Sequence, residues 1–194
     1  MGGRDKLLET IKAEPILART ARIALEAKLV PVLVTLRPKD KARQKALRKH
    51  DVTLIEIPEA DEGISASLRA GAKAALGEIS EGYKTAGDYE YLGLLVLLPD
   101  MPEIEAHDLI NMDYVFQSSG GPVVRATTQD GAPGHPTIFP DWMVSEFENL
   151  TGDKGAASLI DDWCVHPLPI NRARLDLDTP EDWAAWRKET KPPF

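Results

Sequence analysis

Three carboxylates of this chain stand where residue type and neighbours permit metal chemistry. Asp100 comes just after the most apolar run in the sequence, Tyr91–Leu98, and lies between Pro99 and Pro102. In open α/β sheets, ligands sit beyond the carboxyl ends of the strands. A carboxylate at such an end can hold a magnesium ion that carries the phosphates of a nucleotide. A plain turn aspartate beside two prolines is the competing reading. Asp176 and Asp178 alternate in Leu175-Asp176-Leu177-Asp178-Thr179-Pro180. Alternation puts both carboxylates on one face of an extended segment, where one of them can complete a metal site with Asp100. An acid ahead of a helix also serves as a simple cap.

Other segments carry groups suited to phosphate. Gly2 and Gly3 let backbone amides approach an anion, and Arg4 and Lys6 can neutralise it. A solvated terminus has the same composition. Gly63-Ile64-Ser65-Ala66-Ser67-Leu68-Arg69 sets glycine and hydroxyls at a helix start, where free amides and the hydroxyls of Ser65 and Ser67 can grip a base, ribose or phosphate. An ordinary helix cap explains Ser65 equally well. Gly134-His135-Pro136 sets an imidazole at the mouth of a strand, and Gly152-Asp153-Lys154-Gly155 sets a cation at a helix start. His135 is otherwise a structural histidine and Lys154 part of a solvated cap. The sequence shows no Ser-His-Asp order, zinc spacing or Walker lysine motif, and Cys164 sits in an apolar run as an inert core residue.

Such groups need a scaffold, and the hydrophobic patterning describes one. Val30–Leu36, Val52–Ile57, Tyr91–Leu98, Pro122–Ala126, His135–Phe139 and Cys164–Leu168 read as strands, and Arg174–Leu177 as an extended piece. Helical patterns occupy Leu7–Ala27, Lys39–His50, Ser65–Ile79, Glu105–Phe116, Asp141–Leu150, Lys154–Asp161 and Thr179–Lys188, with a loop over Ser80–Glu90. The basic helix at Lys39–His50 reads as solvated over most of its surface. Tyr91–Leu98 has no polar alternation, so it must be covered on both faces, which predicts the centre of a parallel sheet. Strand–helix alternation throughout predicts one three-layer α/β/α sandwich over residues 1–190, with a frayed tail at Lys191–Phe194.

Composition removes whole classes of function. The formal net charge is -8 and the pI about 5.1, against the basic face that nucleic-acid or anionic-membrane binding needs. One cysteine excludes an intramolecular disulfide and any all-cysteine metal site. No run approaches a membrane span, and MGGRDKLLET lacks the apolar core of a signal peptide, so a cytoplasmic location is expected.

Taken in order, MGGRDKLL, GISASLRAG, LLPDMP, GHPTIF, GDKGA and LDLDTPEDW resemble the motifs of the MobA/MocA-like nucleotidyltransferases, from Met1 to Trp183. The resemblance implies a Rossmann-like nucleotidyltransferase fold with a mostly parallel sheet. It also implies a magnesium-dependent reaction in which molybdopterin phosphate attacks the α-phosphate of CTP or GTP and pyrophosphate leaves. On this resemblance Gly2, Gly3, Arg4 and Lys6 bind the triphosphate, and Asp100 holds magnesium with Asp178 or Asp176. Ser65, Ser67 and Leu68 lie near base and ribose, and His135 and Lys154 face the acceptor. The serine-rich GISASLRAG is more similar to the cytidylyl branch than to the guanylyl branch. A non-catalytic accessory protein, holding cofactor or docking on a molybdoenzyme or its maturation factor, is the alternative from another class.

At the front the chain departs from the pattern. Members of that family begin with a strand and a loop of the form Leu-Ala-Ala-Gly or Leu-Ala-Gly-Gly, followed by Arg-Met-Gly. This chain starts at the Met of that triplet, so Met1 is expected to be an internal residue of a longer protein. A gap in the sheet, an altered pairing or a partner in the groove is expected in its place.

Overall fold

The computed structural model describes residues 5–80, 91–160 and 165–190. Gly2, Gly3, Arg4, most of the expected loop after Ser80, Cys164 and the expected tail at Lys191–Phe194 lie outside them.

The first helical pattern divides in three. Lys6–Leu8 forms one 3-10 turn, and a short hairpin pairs β1 (Thr10–Ile11) with β2 (Glu14–Pro15). Only then does α1 (Ile16–Glu26) begin. Pro15 explains the break, because proline inside a helix lacks the donor and clashes with the preceding turn, whereas at the helix entrance it costs nothing. Lys12 and Ala13 turn the hairpin at φ 49° and 69°.

Beyond α1 the elements follow the patterning closely. They are β3 (Leu33–Leu36), α2 (Lys41–Leu47), β4 (Thr53–Glu56), α3 (Ile64–Ser80), β5 (Gly93–Val96) and α4 (Ala106–Ser118). After them come β6 (Val123–Thr127), β7 (Pro133–Pro140), α5 (Asp141–Val144), β8 (Val165–Pro169) and α6 (Pro180–Glu189). The expected helix at Lys154–Asp161 is reduced to a 3-10 turn at Ala156–Leu159, and Ser145–Asn149 continues α5 as another. Thr179 closes a reciprocal capping box with Asp182 at the head of α6, as its Thr-Pro-Glu-Asp sequence dictates.

Besides the hairpin, the strands form two sheets. β3 pairs parallel with β4, and the larger sheet has the order β5-β7-β6-β8. β6 and β8 run parallel, while β7 runs antiparallel to both β5 and β6. Helices cover both faces. Leu95 and Leu97 pack with Leu109, Met112 and Phe116 of α4, while Leu94 and Val96 pack with Ala72 of α3, Phe139 and Phe147. The result is the expected three-layer α/β/α arrangement.

One expectation is corrected. β5 is apolar on both faces, yet it ends its sheet among the described residues and pairs antiparallel with β7. Cover on both faces reports the layers above and below a strand and says nothing about its neighbours within the sheet. Among the described residues no strand pairs with β3 opposite β4, or with β5 opposite β7. No helix among the described residues is long and apolar enough to cross a membrane.

Candidate active site

The carboxyl ends of β3 and β5 meet the turn at Lys6–Leu8. Asp5 caps that turn by accepting the Leu7 amide at 3.0 Å. The same carboxylate receives Arg43 of α2 through Nε at 2.8 Å and Nη2 at 3.1 Å. Burial works against the Asp5 charge, but the Arg43 hydrogen bonds and the Leu7 amide outweigh it and hold the carboxyl below its ordinary range. Lys6 is thereby held over the end of the sheet.

Its ammonium donates to Asp100 Oδ2 at 2.7 Å and also to Asp178 Oδ1. Burial opposes the Lys6 charge, yet the two carboxylates prevail and raise its pKa above the ordinary lysine value. Asp100 follows β5, and its carbonyl accepts the Leu177 amide at 3.2 Å. That bond and the burial of Leu177 draw the Asp176–Asp178 segment against the end of β5. Asp176 and Asp178 are both exposed on either side of buried Leu177, as the alternation requires.

Asp100 Oδ1 and His135 Nδ1 are buried without a hydrogen-bond partner. Burial and the nearby Arg125 push the His135 imidazole below its usual pKa, against the pull of Asp100 and Asp176. The His135 amide donates to the Ala173 carbonyl at 2.8 Å, so β7 presents this side chain beside the acidic segment. Gly134 is required there, because a Cβ on it would collide with the Ala173 carbonyl.

A divalent cation fits this donor set. Two carboxylates converge on one cationic point, and one of them keeps a buried oxygen unsatisfied, which a metal would satisfy. Among the described residues no three His, Cys, Asp or Glu side chains cluster as a complete metal cage. Phosphate oxygens and water are the usual remaining ligands of magnesium.

The serine segment is a separate cluster. Ser65 is fully buried; its amide donates to the Gly152 carbonyl at 3.2 Å and its hydroxyl accepts from Arg69 at 3.4 Å. Its amide is therefore not free. Ser67 is half-buried and Leu68 packs on the core beside Phe147. Gly63 sits against Gly152 and Asp153, which brings the segment that precedes Lys154 to the head of α3.

The model of the MobA-like NTP transferase domain matches residues 1–168. The chain belongs to that family. As a MobA-like NTP transferase it is a nucleotidyltransferase by family. Its fold is similar to that of Rv0371c from Mycobacterium tuberculosis H37Rv, at 24% identity over 96% of this chain and 90% of that one, with a TM-score of 0.71. The manganese complex of the same mycobacterial protein gives 23% identity, coverage of 95% and 92%, and a TM-score of 0.71. Molybdopterin-guanine dinucleotide biosynthesis protein A from Archaeoglobus fulgidus is similar at 12% identity over 96% of this chain and 91% of that one, with a TM-score of 0.65. No curated protein matches the chain.

Two participants were not legible beforehand. Arg43 belongs to the helix expected to be solvated, and Arg125 belongs to β6. Asp40, whose carboxylate caps α2 through the Arg43 amide at 3.1 Å, is the one local signal that fixes where Arg43 starts its turn.

Proposed function

We propose that this MobA-like NTP transferase moves CMP from CTP to the phosphate of molybdopterin, with release of pyrophosphate, in the cytoplasm. The observation that carries the reading is the convergence of Lys6, Asp100 and Asp178, with one Asp100 oxygen buried and unsatisfied. Magnesium, which Asp100 with Asp178 or Asp176 would hold, would supply neutralisation of the charge that builds on the transferring nucleotidyl group. Manganese in the mycobacterial neighbour supports a divalent ion in this fold.

In this reading Lys6 binds the triphosphate, and Gly2, Gly3 and Arg4 complete the phosphate grip. Ser67 and Leu68, on the turn that buried Ser65 anchors, flank base and ribose. His135 and Lys154 meet the acceptor. An acceptor phosphate is already anionic, so no group has to remove a proton from it; burial keeps His135 neutral and able to hydrogen-bond without adding charge. An oxygen of that phosphate forms the new bond to the α-phosphorus of CTP, and the bond to the β-phosphate breaks. Positioning and charge neutralisation are what such transfers require of a protein.

The archaeal neighbour named for molybdopterin-guanine dinucleotide favours GTP as the second reading. Pyrophosphate release measured with magnesium, molybdopterin and either CTP or GTP separates the two. Preference for CTP is expected. Preference for GTP, or no discrimination, rejects the cytidylyl reading.

A further inference from the structure

Helix α2 carries on its outer side a cluster of charge that the site does not use. Seven of the 23 Lys and Arg residues lie between Arg37 and Lys49, with Asp40 as the one acid among them. Arg43 turns inward to Asp5, and Arg37 pairs with Asp61. Lys39, Lys41, Lys45, Arg48 and Lys49 are exposed, and none of them forms an ion pair with a described residue. At about 100° per residue, Lys41, Lys45 and Arg48 fall on one face within about 60° of each other, roughly opposite Arg43. A triphosphate gripped at Lys6 therefore lies behind the helix from all three.

This arrangement works against the fold. Lys45 has like-charged Lys41 and Arg48 one turn away on either side. Lys39 and Lys41 stand at the amino-terminal end of α2, where the helix dipole disfavours cations, and Lys39 is held at φ 60°. A basic face that costs stability, on a chain of net charge -8, is complementary to an acidic partner that touches this face and little else. A long polyanion would also meet the acidic remainder of the surface. Residues 37–56 hold no Phe, Tyr or Trp on which bases could stack. An apolar side chain borders the face instead. Leu54 is 40% exposed and stands opposite Val34 of β3, which packs in the cluster with Leu47. Paired residues share one face of a sheet, so Leu54 lies on the α2 side.

We propose that the outer face of α2, with Leu54 at its side, docks an acidic helical segment of another protein. From Lys41 to Arg48 the three cations climb about 10 Å along the axis. Carboxylates at positions i, i+4 and i+7 of a partner helix present the same repeat in return. One apolar side chain of that segment covers Leu54. The docked segment shares α2 with the site, since Arg43 on the inner side holds Asp5 and the Lys6 turn. Docking does not depend on which nucleotide or acceptor that site takes.

Fluorescence anisotropy tests this with a labelled helical peptide that bears glutamates at i, i+4 and i+7 and one leucine beside them. A peptide of the same composition in scrambled order and a single-stranded oligonucleotide are measured alongside, and phosphatidylserine vesicles by cosedimentation. Wild type is expected to bind the ordered peptide most tightly, and amide chemical shifts should move on α2 and β4. Lys41→Gln, Lys45→Gln and Arg48→Gln together should weaken binding roughly 10-fold or more. Salt near 1 M, which screens charges within about 3 Å, should do the same to wild type. Leu54→Ser should weaken binding and leave its salt dependence unchanged. Turnover and melting temperature should not fall in the triple variant, because these cations lie away from the site and repel one another. No binding of the ordered peptide, equal binding by the triple variant, or equal binding of the scrambled peptide overturns the proposal. Tighter binding of the oligonucleotide or the vesicles through the same residues assigns the face to that class and overturns it as well.

Discussion

Asp5 and Arg43 form a two-pronged ion pair, Nε to Oδ2 at 2.8 Å and Nη2 to Oδ1 at 3.1 Å, that ties the first turn of the described chain to α2. The pair acts on the site at one remove. Asp5 also caps the turn that carries Lys6, so Arg43 sets where the Lys6 ammonium stands.

Arg43→Ala should therefore loosen Lys6 and leave Asp5 half-buried without its guanidinium. Loss of a charged hydrogen bond of this kind costs about 1–2 kcal/mol. Urea unfolding should show that loss, and nucleotide affinity should fall with it. Arg43→Lys should recover only part of either, since an ammonium cannot span both oxygens. Equal recovery by lysine would show that charge alone matters.

Asp100→Asn tests the metal role. It retains the size of the side chain and lets the Leu177 amide keep its backbone partner. Metal-dependent turnover should fall on the order of 100-fold or more, the scale of losing a preorganised electrostatic group. The far-UV circular dichroism should stay near wild type. Full activity in this variant would remove Asp100 from the site.

Gly134→Ala asks whether the close approach of β7 to the acidic segment is needed. The new Cβ meets the Ala173 carbonyl, which is backbone and cannot swing away. Overpacking of this kind costs about 1–3 kcal/mol. The melting temperature should drop, and turnover should drop further because Asp176 and Asp178 follow Ala173 by a few residues. A variant as stable and active as wild type would show that the segment has room to move.

Asp113 supplies a pH-dependent prediction. It lines the cavity between β3 and β5, and burial raises its carboxyl above the ordinary aspartate value of 3.8, partly offset by Gln117. The folded state then holds the proton more tightly than the unfolded one. Stability from this group is full below pH 3.8 and is lost as pH rises through the folded value, so the penalty is complete at neutral pH. Asp113→Asn should be more stable than wild type at pH 7, and the difference should vanish below pH 3.8. A difference that does not change between those conditions would mean the gain is not electrostatic.

By itself the sequence determined the local features. Apolar runs ended by proline or aspartate located β3, β4 and β5, because strand length and breakers are read within a few residues. Thr179-Pro180-Glu181-Asp182 announced the cap of α6, and the spacing of Asp176 and Asp178 placed both on one exposed face. The order of six motifs was enough to point to the family. Pairing partners were decided only in three dimensions. β5 looked central because both of its faces are covered, but hydrogen bonds within a sheet leave no mark on side-chain pattern. Lys6, Asp100 and Asp178 are separated by most of the chain, and Arg43 carries no sign that it will hold Asp5. Such contacts arise when helices and strands pack, and the positions of distant backbone segments relative to one another are a property of the tertiary fold alone.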